Sequence, residues 1–173
     1  MCTHPRCESR AVWHDAVSLH GVVSPRQAGS DMEKRILQGL MVGLGVAAII
    51  IGLMIFVMGG GNTGQLTELT FNHLARVDHA LTGKYSPTVE SEMRFYAPFW
   101  IAYGGLLIYV ARDLSKHGSW MPLLCGVFFA GGAGRVISYF TAGPPHPAFT
   151  VLMAIELVLP IVFVVLWARV RDS

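Results

Sequence analysis

The chain has 173 residues, of which 53% are hydrophobic and 14% charged, and its formal net charge is +2. This composition is typical of a one-domain membrane protein and excludes an ordinary soluble globule. A net charge this small, without a basic patch interleaved with aromatic residues, argues against nucleic acid as a partner. Of the three cysteines, two lie near the N-terminus and one in an apolar run, so they form no disulfide framework.

The first 31 residues differ in character from the rest of the chain. They carry scattered charges, prolines and glycines without helical or strand periodicity, and they lack the basic-then-apolar order of a signal peptide. We expect a disordered tail at 1–31 and a membrane domain at 32–173; an alternative interpretation starts the protein at Met32. The cysteines and histidines of the tail match no standard zinc spacing, so we expect no metal ion and no cofactor.

The membrane domain begins with an uncharged run at 36–58, long enough to cross a hydrocarbon core about 30 Å thick as a helix. Gly39, Gly43 and Ala47 recur along it every four residues, and such a stripe of small residues favours close packing of another helix. A glycine-rich break follows. Apolar residues at helical spacing then predict a short amphipathic helix over 66–82, either along the membrane surface or as a lid over a cavity.

Three further apolar segments follow at 95–111, 121–142 and 148–167. The first begins with aromatic residues, which suit a membrane–water interface. The other two form a hairpin around the proline-rich turn at 144–147. Together the segments predict an all-α fold: a four-transmembrane-helix bundle with a short interfacial amphipathic helix between spans one and two.

Each arm of the hairpin carries one charge. Arg135 lies eight residues before Gly143, and Glu156 lies eight residues after Ala148. Both charges therefore lie about 12 Å below the turn on neighbouring antiparallel helices. A lone charge in lipid is costly, so ionisable residues inside a membrane normally turn inward and pair. We predict that Arg135 and Glu156 face each other as an ion pair.

Lysine and arginine residues define the expected orientation. With four spans both termini lie on one side, and most of the basic residues near the spans lie on that side as well. The positive-inside rule then places both termini in the cytoplasm. Glu92, Arg94, Arg135 and Glu156 consequently belong to the outer half of the bundle.

Several short motifs, taken in order, resemble one known pattern. They are Glu92-x-Arg94-Phe95-Tyr96, Gly131-Gly132-x-x-Arg135-x-x-Ser138, Gly143-x-Pro145 and Glu156-Leu157. Over about residues 34–168 the chain resembles domain-of-unknown-function family 4345, a bacterial family of small four-span membrane proteins. The resemblance implies a four-helix integral membrane fold and implies no reaction. The signature positions of the family fall on Glu92, Arg94, Arg135, Ser138 and Glu156.

The candidate site is a polar cluster in the outer half of the bundle, made of Glu92, Arg94, Tyr96, Arg135, Ser138 and Glu156. In a structural interpretation the two acids and two arginines neutralise each other and fix which helices meet. In a binding interpretation the arginines offer a planar fork to a carboxylate or phosphate headgroup. We expect a structural protein or one that binds a small anionic or lipid ligand.

Two other functions stay open at this stage. In a small proton-coupled transporter Glu156 would exchange protons, and oligomers would form because four helices enclose little aqueous space. A lipid-modifying enzyme is less favoured, because the chain has no nucleophile elbow, no His-Glu-x-x-His set and no phosphate-binding loop. We assign no catalytic residue. The expected partners are the lipid bilayer of the bacterial inner membrane and a second copy or another membrane protein.

Overall fold

The structure, a computed structural model, describes residues 25–171, and this part of the chain is all-α. Its elements are α1 (Pro25–Met58), α2 (Gly60–Ala75), α3 (Pro87–Arg112), α4 (Leu114–His117), a 3-10 turn (Gly118–Trp120), α5 (Met121–Ala142) and α6 (Pro147–Arg171). Most of the tail predicted at 1–31 lies outside the described residues. The remainder belongs to α1, which begins before the predicted boundary at residue 32.

Three segments of the described chain are long and apolar enough to cross a membrane: Gly29–Met58, Leu114–Ala142 and Pro147–Arg171. They correspond to the first, third and fourth predicted spans and indicate an integral membrane protein. The second predicted span, 95–111, lies within α3. This helix starts earlier than the apolar segment because Pro87 occupies its first turn and the Ser86 side chain accepts a hydrogen bond from the Val89 N–H.

The short helix after the first span differs from its prediction at both ends. Only Gly59, with φ at 90°, interrupts the helical conformation, and α2 begins at Gly60 instead of at residue 66. It ends at Ala75, because Arg76 adopts a left-handed conformation with φ at 53°, and residues 77–82 are not helical. Gly60 packs closely against α3, because a Cβ on it would lie 2.9 Å from the Met93 side chain.

Helix α1 packs against both α3 and α6, and α5 packs against α6. The closest approach of α1 to α3 is at Gly45 and Gly104, where a Cβ on Gly45 would lie 2.7 Å from the Gly104 carbonyl oxygen. The predicted contact stripe was wrong, since Gly39 and Gly43 face open space. Because nearly all faces of an apolar helix look alike in sequence, small residues alone did not identify the packed face.

One end of the helix assembly is filled by a hydrophobic cluster. Its fully buried members come from α1, α3 and α5 and include Leu37, Met41, Leu107, Val110 and Met121. Polar contacts tie the same end together: the Gln38 amide donates to the Ala111 carbonyl at 2.7 Å, and Arg169 pairs with Glu33 at 3.2 Å. We call this the closed end. The opposite end, where α2 lies, is hollow.

Candidate functional site

A cavity of about 870 Å³, the main cavity, occupies the hollow end. Residues of α1, α2, α3, α5 and α6 line it together with the connections beside them, so α2 forms part of its wall. The lining is largely apolar. Its polar members include Thr63, Thr67, Tyr85, Tyr96, Arg135, Ser138, Tyr139, His146 and Glu156. The position of α2 beside a cavity agrees with the lid interpretation, and a position along the membrane surface stays a prediction.

Arg135 and Glu156 form an ion pair in the wall of the main cavity. The Arg135 Nε donates to the Glu156 carboxylate over 2.7 Å, as their equal spacing from the turn predicted. The Glu156 side chain is 7% exposed and that of Arg135 is 36% exposed. Gly132 allows the two helices to meet here, because a Cβ on it would lie 3.1 Å from the Glu156 Cβ.

The guanidinium of Arg135 keeps donors available to the cavity. A guanidinium carries five N–H groups, and within residues 25–171 Glu156 is its hydrogen-bond acceptor. The Phe149 ring, whose centroid lies 6.0 Å from the Arg135 Cζ, supplies a further favourable contact from the apolar wall. Arg135 is thus held by Glu156 through its Nε, and its side chain also lines both cavities.

A second, partly open cavity of about 350 Å³, the side cavity, lies between α3 and α5. Its walls are Phe99, Trp100, Tyr103, Val127, Phe128, Gly131, Arg135 and Glu156. Trp100, Phe128 and the ion pair line both cavities. Of the aromatic residues at the start of the second predicted span, Trp100 and Tyr103 line this space and Tyr96 lines the main cavity. The Tyr103 hydroxyl donates to the Leu124 carbonyl at 2.9 Å.

The six predicted site residues do not form one cluster. Tyr96 and Ser138 line the main cavity with the ion pair. Arg94 lies outside the lining residues; it donates to the Phe56 carbonyl at 3.0 Å and pairs with Glu90 at 3.5 Å. Glu92 is exposed and lines neither cavity. The reason is helical geometry, because Arg94 faces Glu90 one turn earlier, whereas Glu92 projects from another side of α3.

Glu90 makes a contact between helices that the sequence did not predict. Its carboxylate accepts the Gly61 N–H at 3.1 Å and contacts Arg94, so it joins the start of α2 to α3. A Cβ on Gly59 would overlap this carboxylate, which explains why glycine stands at the break. The spacing of Glu90 and Arg94, four residues apart, was the signal that could have identified it.

Glu68 is a buried acid on α2, the helix that forms part of the wall of the main cavity. Its side chain is fully buried and accepts hydrogen bonds from both the N–H and the hydroxyl of Thr82. Burial, followed by the nearby Glu68 charge, raises the pKa of Tyr85 above its usual value. No sequence pattern indicated this burial, because α2 turns its leucines outward: Leu66, Leu69 and Leu74 are all exposed.

His146 adds a second buried polar group beside the cavity. Its Nδ1 accepts the Ala148 N–H at 3.2 Å, which leaves the proton of a neutral ring on Nε2. Nε2 is buried and has no hydrogen-bond partner within the described chain. Among residues 25–171, no group of three or more His, Cys, Asp or Glu side chains could hold a metal ion.

The comparison with protein families gives one finding. The family model described as Domain of unknown function (DUF4345) matches residues 36–167. The match confirms the resemblance derived from the motifs and includes both cavities and the ion pair. Neither the curated proteins nor the solved structures provide a match.

Proposed function

We propose that this protein, which belongs to the DUF4345 family, is a four-span membrane protein that binds an anionic headgroup in its main cavity. The fourth span in this proposal is α3. Its 26 residues extend over about 39 Å, and it packs antiparallel to α1 through Gly45 and Gly104. The outward leucines of α2 support a position at the membrane interface.

The proposed membrane is the bacterial inner membrane, with both termini in the cytoplasm. Arg112, Lys116, Arg169 and Arg171 all lie at the closed end. Under the positive-inside rule the closed end then faces the cytoplasm, and the main cavity lies in the outer half of the protein.

The observation that carries the binding proposal is the balance of donors and acceptors around the main cavity. The carboxylates are engaged, Glu156 by Arg135 and Glu68 by Thr82. The groups that can only donate are the remaining N–H groups of Arg135 and the His146 Nε2, whereas the Tyr96, Ser138 and Tyr139 hydroxyls can donate or accept. A ligand rich in acceptors, such as a phosphate or carboxylate, complements them. Since the ion pair is neutral as a unit, hydrogen-bond geometry supplies the preference.

Lipid retention in neutral detergent tests this proposal. Native mass spectrometry measures how much dioleoyl phosphatidylglycerol and dioleoyl phosphatidylcholine the purified protein retains. The variant Arg135→Gln/Glu156→Gln removes the guanidinium without leaving a buried carboxylate unpaired. We expect it to lose about 10- to 100-fold in affinity for phosphatidylglycerol, the effect of losing charge-assisted hydrogen bonds worth about 1.5–3 kcal/mol.

Lys84→Gln is the matched control, because Lys84 is an exposed basic residue at the same end of the protein and lines neither cavity. This variant should retain phosphatidylglycerol like the unmodified protein. Equal retention by Lys84→Gln and by the double variant would contradict the proposal.

A small proton-coupled transporter is the second candidate, and one observation favours it. The main cavity is confined to one end of the assembly, whereas the other end is packed with apolar side chains, an arrangement that suits an outward-open state. Glu156, with its nearly buried carboxylate, would carry the proton. Uptake of an anion into proteoliposomes that depends on a pH gradient and is lost in Glu156→Gln would favour transport over binding alone.

A further inference from the structure

The side cavity lies at mid-depth on α5, away from either end of the helix. Gly131, in its wall, is about 15 Å from each end of Met121–Ala142. If α5 spans the bilayer, this depth belongs to hydrocarbon and not to headgroups or water. A groove that opens here therefore meets the acyl chains of lipids.

The walls of the side cavity suit hydrocarbon. Apart from the ion pair and the Tyr103 hydroxyl, which is bonded to the Leu124 carbonyl, its lining side chains are apolar or aromatic. At its rim Phe99 is 60% exposed and Val127 is 53% exposed, so the groove continues into the outer surface of the protein.

The groove exists because α3 and α5 make little contact with each other. The two helices meet much less extensively than α1 meets α3 or α5 meets α6. Their contact includes Tyr103, whose ring stacks on Phe128 with 6.0 Å between centroids. The inner end of the groove reaches Arg135 and Glu156, which also line the main cavity.

We infer that the ligand is a membrane lipid: its anionic headgroup contacts Arg135 in the main cavity, and one hydrocarbon chain occupies the side cavity between α3 and α5. The inference rests on the proposed function and adds the ligand class and the route. The lipid enters laterally from the bilayer, and Trp100 and Phe128 flank the junction between headgroup and chain. A water-soluble anion would use the main cavity alone.

Filling the groove from Gly131 tests the inference. Gly131 lines the side cavity and a Cβ on it would meet no atom within 4 Å, so Gly131→Phe adds a ring at the wall of this cavity. Gly134→Phe is the matched control, since Gly134 is on the same helix, is equally open and lines neither cavity. Gly131→Leu is a smaller second variant, and thermal unfolding verifies that all three variants fold.

The measurement is retention of dioleoyl phosphatidylglycerol by native mass spectrometry, with glycerol 3-phosphate as the chain-free probe. Gly131→Phe should lower retention of the lipid about tenfold, since burial of only about two methylene groups changes an affinity by that factor. Gly134→Phe should leave it unchanged. In a variant with Trp100 as its sole tryptophan, brominated acyl chains should quench its fluorescence, and Gly131→Phe should reduce that quenching.

The outcomes separate this inference from the proposed function. If Arg135→Gln/Glu156→Gln loses the lipid and both Gly131 variants keep it, the chain site is wrong and headgroup binding stands. Binding of glycerol 3-phosphate as tightly as the lipid would contradict the chain site in the same way. If the double variant keeps the lipid, the proposed function fails, and this inference fails with it.

Discussion

At the scale of single residues, Arg135 and Glu156 differ in their surroundings although they form one pair. Glu156 is 7% exposed, so its carboxylate depends on the arginine for its stabilisation. Arg135 is 36% exposed and can still reach the cavity when its partner is absent. Removal of Arg135 should therefore destabilise the protein more than removal of Glu156.

Replacing the pair tests this asymmetry. Arg135→Met leaves a buried carboxylate uncompensated and should destabilise the protein by about 3–5 kcal/mol, whereas Glu156→Leu should cost less. Arg135→Met/Glu156→Leu should recover most of the loss, because an apolar pair of similar volume carries no desolvation penalty. Thermal unfolding in detergent measures all three variants. If both single variants melt like the unmodified protein, the ion pair contributes nothing to the fold.

At the scale of helices, close backbone contact joins α1 to α3. The glycines that permit it are Gly45 and Gly104, whereas Gly39 and Gly43 on another face of α1 meet nothing. Replacement of a glycine by alanine should therefore have different effects on stability at these two sets of positions.

Gly104→Ala places a methyl group against the Gly45 carbonyl and the Ile49 side chain. We expect a loss of about 1–3 kcal/mol from this overpacking. Gly43→Ala should instead be neutral or stabilising by up to about 1 kcal/mol, because alanine is the better helix former. Unfolding of both variants in the same detergent provides the comparison. Equal effects would show that α1 and α3 do not meet at Gly104.

The same helices show what the sequence could and could not predict. The bounds of α5 and the ion pair followed from the chain itself, because prolines and glycine mark the hairpin and the two charges are equally spaced from its turn. The packed faces did not, since a helix in lipid is apolar on every side and periodicity no longer separates inside from outside. The burial of Glu68 was missed for another reason: α2 has an apolar face, but its leucines on that face are the exposed ones.

At the scale of the whole molecule, the two ends differ. The closed end is filled with apolar side chains and contains the Arg169–Glu33 ion pair. The opposite end holds the main cavity beneath α2. Which end faces the cytoplasm is therefore decisive for where a ligand can bind.

Cysteine labelling determines the orientation. Gly83, in the connection after α2, and Ser115, at the closed end, are both exposed and suit single introduced cysteines once the three native cysteines are replaced by serine. A membrane-impermeant maleimide added to intact cells should label Gly83→Cys alone. Ser115→Cys should react only after permeabilisation. The reverse pattern would invert the protein and place the main cavity on the cytoplasmic side.

The break at Gly59 has a mechanical consequence for α2. A change in the angle between α1 and α2 would occur at this residue, and the Glu90 carboxylate from α3 holds the first turn of α2 through the Gly61 N–H. Arg94 forms an ion pair with that carboxylate and donates a hydrogen bond to the Phe56 carbonyl at the end of α1. The break and the contact that holds it thus come from distant parts of the chain. A movement of α2 away from the main cavity would first break the hydrogen bond between Gly61 and α3.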